Sequence, residues 1–441
     1  MLIHNALVVT MDETNRIIPS GAVRFADGNI TDVGTDRDLI SRFPEEKKID
    51  AEGRVLLPGL INSHMHLYST FARGISLKDP PPEEFRQILE RLWWRLDKAL
   101  DEEAIRLSAE YILIQAIRNG TTTLIDHHSS PSAVTGSLDI LAEAFIHAGL
   151  RGVLCYEVSD RDGEKVKNQA IEENRRCISH LKKNPSPLLA AQFGLHASFT
   201  LSENTLRECA ETGNELDAGF HVHCCEAFTD LDHCRKNFGK TVVERFHAAG
   251  ILKPETIAAH CVHVTESDLE ILAETGAFVA HNPRSNMNNA VGAADIHAMC
   301  FRNVNVGLGT DGMSVNMGEE LKTADLVQKH RAGDPQKGGN EIVELLTKGN
   351  PDIAGKLFHR RIGSIEQNAA ADMILVDYDP PTPLEPDNLS GHLLFGLAGA
   401  PVNTTIVNGK ILMRDGEIQT LDEEKINDAA RKTAKRVWKK F

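Results

Sequence analysis

The sequence predicts an α/β protein: a (β/α)8 barrel of the TIM type with a small β-sandwich domain built from both chain ends. Three observations carry this reading. Strand-like apolar runs alternate with helical stretches about eight times through the middle of the chain, as a parallel barrel requires. Short β-rich runs broken by tight-turn dipeptides fill the first 58 residues and return after residue 364. Residue types that bind metals recur at the C-terminal ends of the central runs, the face on which barrel enzymes build their sites.

At 441 residues the chain exceeds the ~250–300 residues at which one core stops growing. The expected division is 1–58 plus 365–441 for the sandwich and 59–364 for the barrel. At the N-terminus, strands are expected at 6–11, 21–25, 29–33 and 54–57, with turns at Asp27-Gly28 and Glu52-Gly53 and no helix of normal length. Near the other end, ADMILVDYD (371–379) and TTIVNGKILMRDGEI (404–418) carry the hairpin dipeptides Asn408-Gly409 and Asp415-Gly416.

Barrel strands are expected at 55–62, 121–126, 152–158, 188–196, 220–225, 256–260, 277–281 and 304–310. Between them lie helices such as DEEAIRLSAEYILIQAIRNG, which opens on acidic residues and closes on a glycine, as capping and the helix dipole favour. After the first strand, RGISLKDPPPEEFRQILERLWWRLDKALDEE makes a long excursion, three prolines leading to Trp93 and Trp94. It is either a lid over the barrel mouth or an amphipathic packing element.

Composition narrows the function. A formal charge of −15 would repel nucleic acid phosphates and anionic membranes, so a small molecule is the expected partner. The N-terminus has no basic leader, and no apolar run reaches the ~18 residues that would span a bilayer, so a cytoplasmic protein is expected. Eight cysteines without a CxxC pair argue for reduced thiols rather than a disulfide scaffold.

Four segments carry the chemistry. The apolar run VLLPGLIN leads into Ser63-His64-Met65-His66, where positions i and i+2 of a strand point both imidazoles one way. The run FHVHCCE presents His221 and His223 on one face, either of them a ligand on spacing alone, with Glu226 just beyond. IAAHCVH ends a strand at His260, and NVGLGTDG delivers Asp311 behind a strand. Singly, each reads as a hydrogen-bonded core histidine or a helix cap. Jointly, four strand ends with imidazole and carboxylate donors and no thiolate read as a site for one divalent metal ion, zinc or iron(II).

PGLINSHMH, HVHCCE, AAHCVH, AHNPRSNMNN and GLGTDG, in that order, resemble the successive signatures of the amidohydrolase superfamily, in its chlorohydrolase and aminohydrolase branch. LWWRLDKALDEE, IDHHSSP and HNPRSNMNN are further similar to SsnA-type aminohydrolases and, in places, to 8-oxoguanine deaminases. The resemblance implies that His64, His66, His223 and Asp311 hold one ion, zinc ahead of iron(II), and so selects His223 over His221. It makes Asp311 a base as well as a ligand, Glu226 a proton shuttle and His260 a contact to the attacked centre. His196 would line the substrate pocket, with His281, Asn282 and Arg284 shaping its far wall, while His127 and His128 are left to packing or supporting roles. The carboxylated lysine of other branches has no counterpart in FGLHASFT, which implies a single ion.

The implied reaction is hydrolytic release of ammonia from a small nitrogen-rich, purine-like heterocycle, the ion making hydroxide available at neutral pH. Removal of chloride or opening of a cyclic amide on a related ring is the alternative within hydrolases. A non-catalytic metal-binding protein is the alternative outside them, and Glu226 beside His260 speaks against it. The HxE and PCxxC elements of cytidine-deaminase zinc sites are absent. Family analogy adds a homo-oligomer, specifically a dimer.

Overall fold

The structure is a computed structural model describing residues 1–441. Its first five strands are β1 (Leu2–Val9), β2 (Ile17–Ala26), β3 (Asn29–Thr35), β4 (Lys48–Asp50) and β5 (Val55–Pro58). Then come β6 (Leu60–Met65), β7 (Thr121–Asp126), β8 (Arg151–Leu154), β9 (Leu189–Ala191), β10 (Phe193–Ala197), β11 (Phe220–Cys224), β12 (Ile257–His260), β13 (Phe278–His281) and β14 (Asn305–Leu308). The last four are β15 (Met373–Val376), β16 (Val402–Val407), β17 (Lys410–Arg414) and β18 (Glu417–Ile418).

The chain ends meet in one nine-stranded sheet, ordered β18-β17-β16-β15-β5-β1-β2-β3 with β4 beside β1. Alternation sorts its side chains. Val55, Leu57, Ile374, Val376 and Val407 join the main apolar core, while Leu56, Met373, Leu375 and Ile406 join a second cluster with Val8, Val23 and Phe25. Both faces are therefore covered. The N-terminal segment also holds a seven-residue helix, Asp36–Arg42, which sequence reading left out; Thr35 caps it by accepting the Asp38 N–H.

The central strands form two parallel sheets, β6-β7-β8-β9 and β10-β11-β12-β13-β14. Two of the expected strands are divided. The run 55–62 breaks at Gly59 into β5 of the terminal sheet and β6 of the parallel one. A Cβ on Gly59 would lie 2.2 Å from Thr122 Oγ1, so only glycine permits this crossing. The run 188–196 breaks at Gln192, whose side-chain amide donates to the carbonyls of Phe220 and Glu255, so that β9 pairs with β8 and β10 with β11.

Hydrogen bonds run across both gaps between the sheets. Val158 bridges Leu195, its N–H donating to Gly194 O at 3.2 Å and its carbonyl accepting from His196 N–H at 3.0 Å. Met65 bridges Asp311, and the N–H groups of Thr310 and Asp311 donate to His64 O at 2.9 and 3.0 Å.

The excursion after β6 holds the helix Phe85–Ile88, a π-helical turn Leu89–Trp93 and the helix Trp94–Ala99. The C-terminal helix Glu423–Trp438 packs on Glu102–Arg118, tied to it by Arg118–Glu423, and Trp438 Nε1 donates at 2.7 Å to Phe71 O in the turn Leu67–Ala72. All eight cysteines are free, and no helix is long and apolar enough to cross a membrane.

Candidate active site

Four strand ends, those of β6, β11, β12 and β14, aim ligand-type side chains at one point. Backbone strain marks the place: Cys225, His260, Cys261 and Asp311 all have positive φ, 49°, 77°, 48° and 53°, a conformation that costs ~1–3 kcal/mol per non-glycine residue. His66 Nε2 lies 2.9 Å from Asp311 Oδ1 and 3.2 Å from His223 Nε2, and His64 Nε2 lies 3.6 Å from Asp311 Oδ1. Donor atoms bound at about 2.0–2.2 Å to one ion sit roughly 3–3.6 Å from each other, so these spacings suit a shared cation.

The hydrogen bonds behind the rings test that fit. His66 Nδ1 donates to His127 O at 2.5 Å and His223 Nδ1 to His196 O at 2.9 Å. His64 Nδ1 meets His221 Nε2 at 2.8 Å. With each Nδ1 proton spent on an acceptor behind it, all three rings turn Nε2 inward, His66 Nε2 onto Asp311, and His64 Nε2 is buried with no hydrogen-bond partner. Ring nitrogens and a carboxylate converging in buried space call for a cation. His221, two residues earlier on β11, thus orients His64 from one layer deeper in the strand.

His260 also reaches the centre: its donor atom lies within 4.8 Å of those of His64, His223 and Asp311. Its wiring is the reverse. The Asn286 amide donates to His260 Nδ1 at 2.8 Å, leaving the ring proton on Nε2, which faces Glu226 Oε2 at 3.6 Å and Asp311 Oδ2 at 4.0 Å. His260 is therefore built as a donor toward the centre.

The two carboxylates there are driven apart electrostatically. Burial pushes Glu226 well above the usual carboxylate range, and the neighbouring charge of Asp311 adds to it against a hydrogen bond from Asn289 at 3.3 Å. Burial would raise Asp311 as well, but the His64 and His66 rings beside it, His66 Nε2 at 2.9 Å, outweigh this and hold the carboxylate well below its ordinary value; Ser285 also donates its hydroxyl to Oδ2. The two carboxylates are shifted in opposite directions, the split expected of an acid and a base in one site.

Above the centre is a cavity walled by Tyr68, Phe85, Trp93, Trp94 and Phe199, with Asp97, Glu157, His196, Glu226, Asp230 and Asn289 among its polar groups. The excursion supplies Phe85, Leu89, Trp93, Trp94 and Asp97, so it roofs the cavity. His196 is on this wall, its Nδ1 donating to Thr200 Oγ1 at 2.7 Å. His281, Asn282 and Arg284 are not. His281 is fully buried with both ring nitrogens unpartnered, and burial pulls its pKa down to about 3. Asn282 is buried behind His260, and the Arg284 guanidinium turns away to Glu319 at 2.6 Å. His128 is buried against Ser130, and His127 turns Nε2 to His221 O at 3.1 Å.

Sequence reading missed Asn286, Ser285, Asn289 and Glu157. The first three stood in the quoted stretch HNPRSNMNN without a role. Glu157 carried its own signal, a lone charge in the apolar run VLCYEVS.

The amidohydrolase family profile matches residues 55–412 of this architecture. The chain belongs to the amidohydrolase family. This amidohydrolase is 31% identical over 439 residues to a 5'-deoxyadenosine deaminase of Methanosarcina mazei, covering 98% of this chain and 97% of that enzyme. A 5-methylthioadenosine/S-adenosylhomocysteine deaminase of Moorella thermoacetica is 33% identical over 415 residues, covering 93% and 94% of the two chains. Among solved structures, a zinc-bound adenosine deaminase from Xanthomonas campestris superposes with a TM-score of 0.88 at 23% identity, covering 99% of this chain and 98% of that one. An E. coli guanine deaminase superposes with a TM-score of 0.80 at 21% identity, covering 94% and 99%. The amidohydrolase is thus a hydrolase of carbon–nitrogen bonds carrying residue groups suited to a metal ion.

Proposed function

We propose that this amidohydrolase is a zinc-dependent deaminase that releases ammonia from a small purine-like heterocycle, its ion held by His64, His66, His223 and Asp311. The observation that carries the reading is the wiring of the rings: three imidazoles spend their Nδ1 protons behind them and turn Nε2 toward Asp311, while Glu226 and His260 stand on one side. The Methanosarcina mazei and Moorella thermoacetica relatives are named as deaminases of adenosine compounds, which points to a purine-like ring.

When bound, the ion would lower the pKa of water from 15.7 toward ~7 and so supply hydroxide at neutral pH. Asp311, ionised beside His66, takes up the proton of the attacking water. Glu226, its pKa pushed up by burial, donates at Oε to a ring nitrogen, making the adjacent carbon electrophilic; it then takes up the hydroxyl proton of the tetrahedral centre and passes it to the departing amine, and the proton held by Asp311 restores Glu226. His260 Nε2–H donates to the oxygen that gains charge at the tetrahedral centre. Tyr68, Phe85, Trp93 and Trp94 stack on the ring and keep bulk water out.

We read the two parallel sheets as halves of one closed (β/α)8 barrel over 59–364, supported by the hydrogen bonds across both gaps. The terminal sheet, covered on both faces, is read as the sandwich domain of 1–58 plus 365–441. His196 is retained as a substrate contact because it lines the cavity. His281, Asn282 and Arg284 are read as supports of the wall, and the functional unit as a dimer.

The test is an ammonia-release screen of the zinc-loaded protein against purines, purine nucleosides, pterins and triazines, with chloride followed in parallel for halogenated rings. Ammonia from a purine-type ring is expected. Chloride release alone, or tightly held zinc with no turnover of any ring, would overturn the proposal.

A further inference from the structure

The roof over the cavity has almost no core of its own. From Ala72 to Ile88 no residue is buried, and prolines 80, 81 and 82 lead from that stretch into the helices that carry Trp93 and Trp94. Internal ties make the roof one body: Arg91 Nη1 donates to Pro80 O at 2.7 Å and to Pro81 O at 3.0 Å, and Arg95 pairs with Asp79. A segment with so few buried apolar contacts opens at little cost unless something outside it keeps it down.

Residues 436–441 are placed to do that. Val437 is fully buried in the main core, and the residues around it reach the excursion at three points. At its entry, Trp438 Nε1 donates to Phe71 O at 2.7 Å. On the roof itself, Arg95 Nη2 donates to Phe441 O at 2.6 Å, with Cζ 5.2 Å from the centre of the Phe441 ring. At its exit, Lys440 Nζ donates to Ala99 O at 2.6 Å, and Arg436 Nη2 donates to Asp101 at 3.0 Å and to Glu103 at 2.9 Å. Trp94 and Arg95 are neighbours, so one residue lines the cavity and the next grips residue 441. Single ties of this kind are weak at a surface, but the roof moves as one body and must break them together to open.

We propose that residues 436–441 are a strap that holds the roof down over the cavity, with Arg436 and Lys440 as positioning residues that act through Trp93 and Trp94 on the bound ring. The proposal rests on the cavity being the substrate site. Glu226, His260 and Asp311 stand on other elements and have no partner in the strap, so loosening it weakens the grip on the ring and leaves the chemistry in place.

The experiment compares the zinc-loaded full chain with its Arg436→Ala/Lys440→Ala double variant by hydrogen exchange. Amides of 85–99 should exchange at least about tenfold faster in the variant, while those of 257–311 keep the wild-type rate. In a Trp438→Phe background the remaining tryptophans are Trp93 and Trp94, and the same double variant should make their fluorescence more easily quenched by acrylamide. With 5'-deoxyadenosine as the probe, KM should rise about tenfold while kcat stays within roughly threefold, and Arg436→Lys/Lys440→Arg should return both readings to the wild-type values. Unchanged exchange and quenching would overturn the proposal. So would faster exchange throughout 257–311, which would mark a general loss of stability, or a fall in kcat at unchanged KM. A wild-type protein that turns over no purine would count against the deaminase reading alone, and exchange and quenching would still decide the strap.

Discussion

Stripping the ion from this amidohydrolase and returning zinc at a series of pH values should show affinity that climbs with pH and then levels off near pH 9. The reasoning starts at His66. Burial alone would drive the proton off this ring, but the hydrogen bond to Asp311 at 2.9 Å and the charge of that carboxylate prevail and raise its pKa to about 9. Zinc needs the same Nε2 lone pair, so binding must expel one proton from the His66–Asp311 pair. Below pH 9 the apparent affinity then falls about tenfold per unit, so at pH 7 it is roughly 100-fold, or ~2.7 kcal/mol, under its plateau. The sign for the metal-free fold is opposite. A histidine raised above its ordinary value of 6.5 contributes stability that is complete below that value and is lost as pH rises through 9. Competition against a chelator measures the slope, and calorimetry in buffers of different ionisation heat counts protons, with close to one released per zinc at pH 7.5. Asp311→Asn should flatten the slope along with weakening the site. A pH-independent affinity between 7 and 9, with no proton released, would refute the reasoning.

Glu226→Gln should cut kcat by about 10²–10⁴-fold with metal content unchanged, because the isosteric amide keeps the Asn289 contact but has no proton to shuttle; turnover near wild type, or lost zinc, would remove Glu226 from that role. His221→Ala should weaken zinc binding about 10–100-fold by freeing the His64 ring, a loss visible in chelator competition before activity at saturating zinc falls. Asp230 is raised by burial to about 7, so its contribution to stability is complete below its ordinary pKa near 3.8 and is lost as pH climbs through 7. Asp230→Asn keeps an acceptor for the Cys225 N–H and should leave melting unchanged at pH 4 while stabilising the protein by ~2–4 kcal/mol at pH 8; equal melting of the two proteins at pH 8 would contradict this.

Much of the architecture was legible because its signals are local. Alternating apolar runs between helical stretches, and Asn408-Gly409 and Asp415-Gly416 at their turns, mark elements whose causes lie within a few residues. Both divided strands have long-range causes. Gly59 must be glycine because of Thr122, and Gln192 interrupts its run by donating to Phe220 and Glu255, partners 28 to 63 residues away. The helix Asp36–Arg42 escaped because seven residues give too few turns for a 3.6-residue period to stand out, although Thr35 and its acidic first turn were visible.

At the site, residue type and spacing located the strand ends but left the depth of each side chain undetermined. His221 and His223 show why. They share a face of β11, and period two cannot rank them. Two residues of strand separate them by roughly 6.6 Å along β11, so one reaches the centre while the other meets the back of His64. The same limit applies to His260, whose role as donor depends on an amide 26 residues later in the chain, and to Arg284, which a single turn of helix after β13 carries out to Glu319. Ligand chemistry is thus written in residue identity, whereas the division between ligand, donor and support is written in hydrogen-bond partners that only the folded chain brings together.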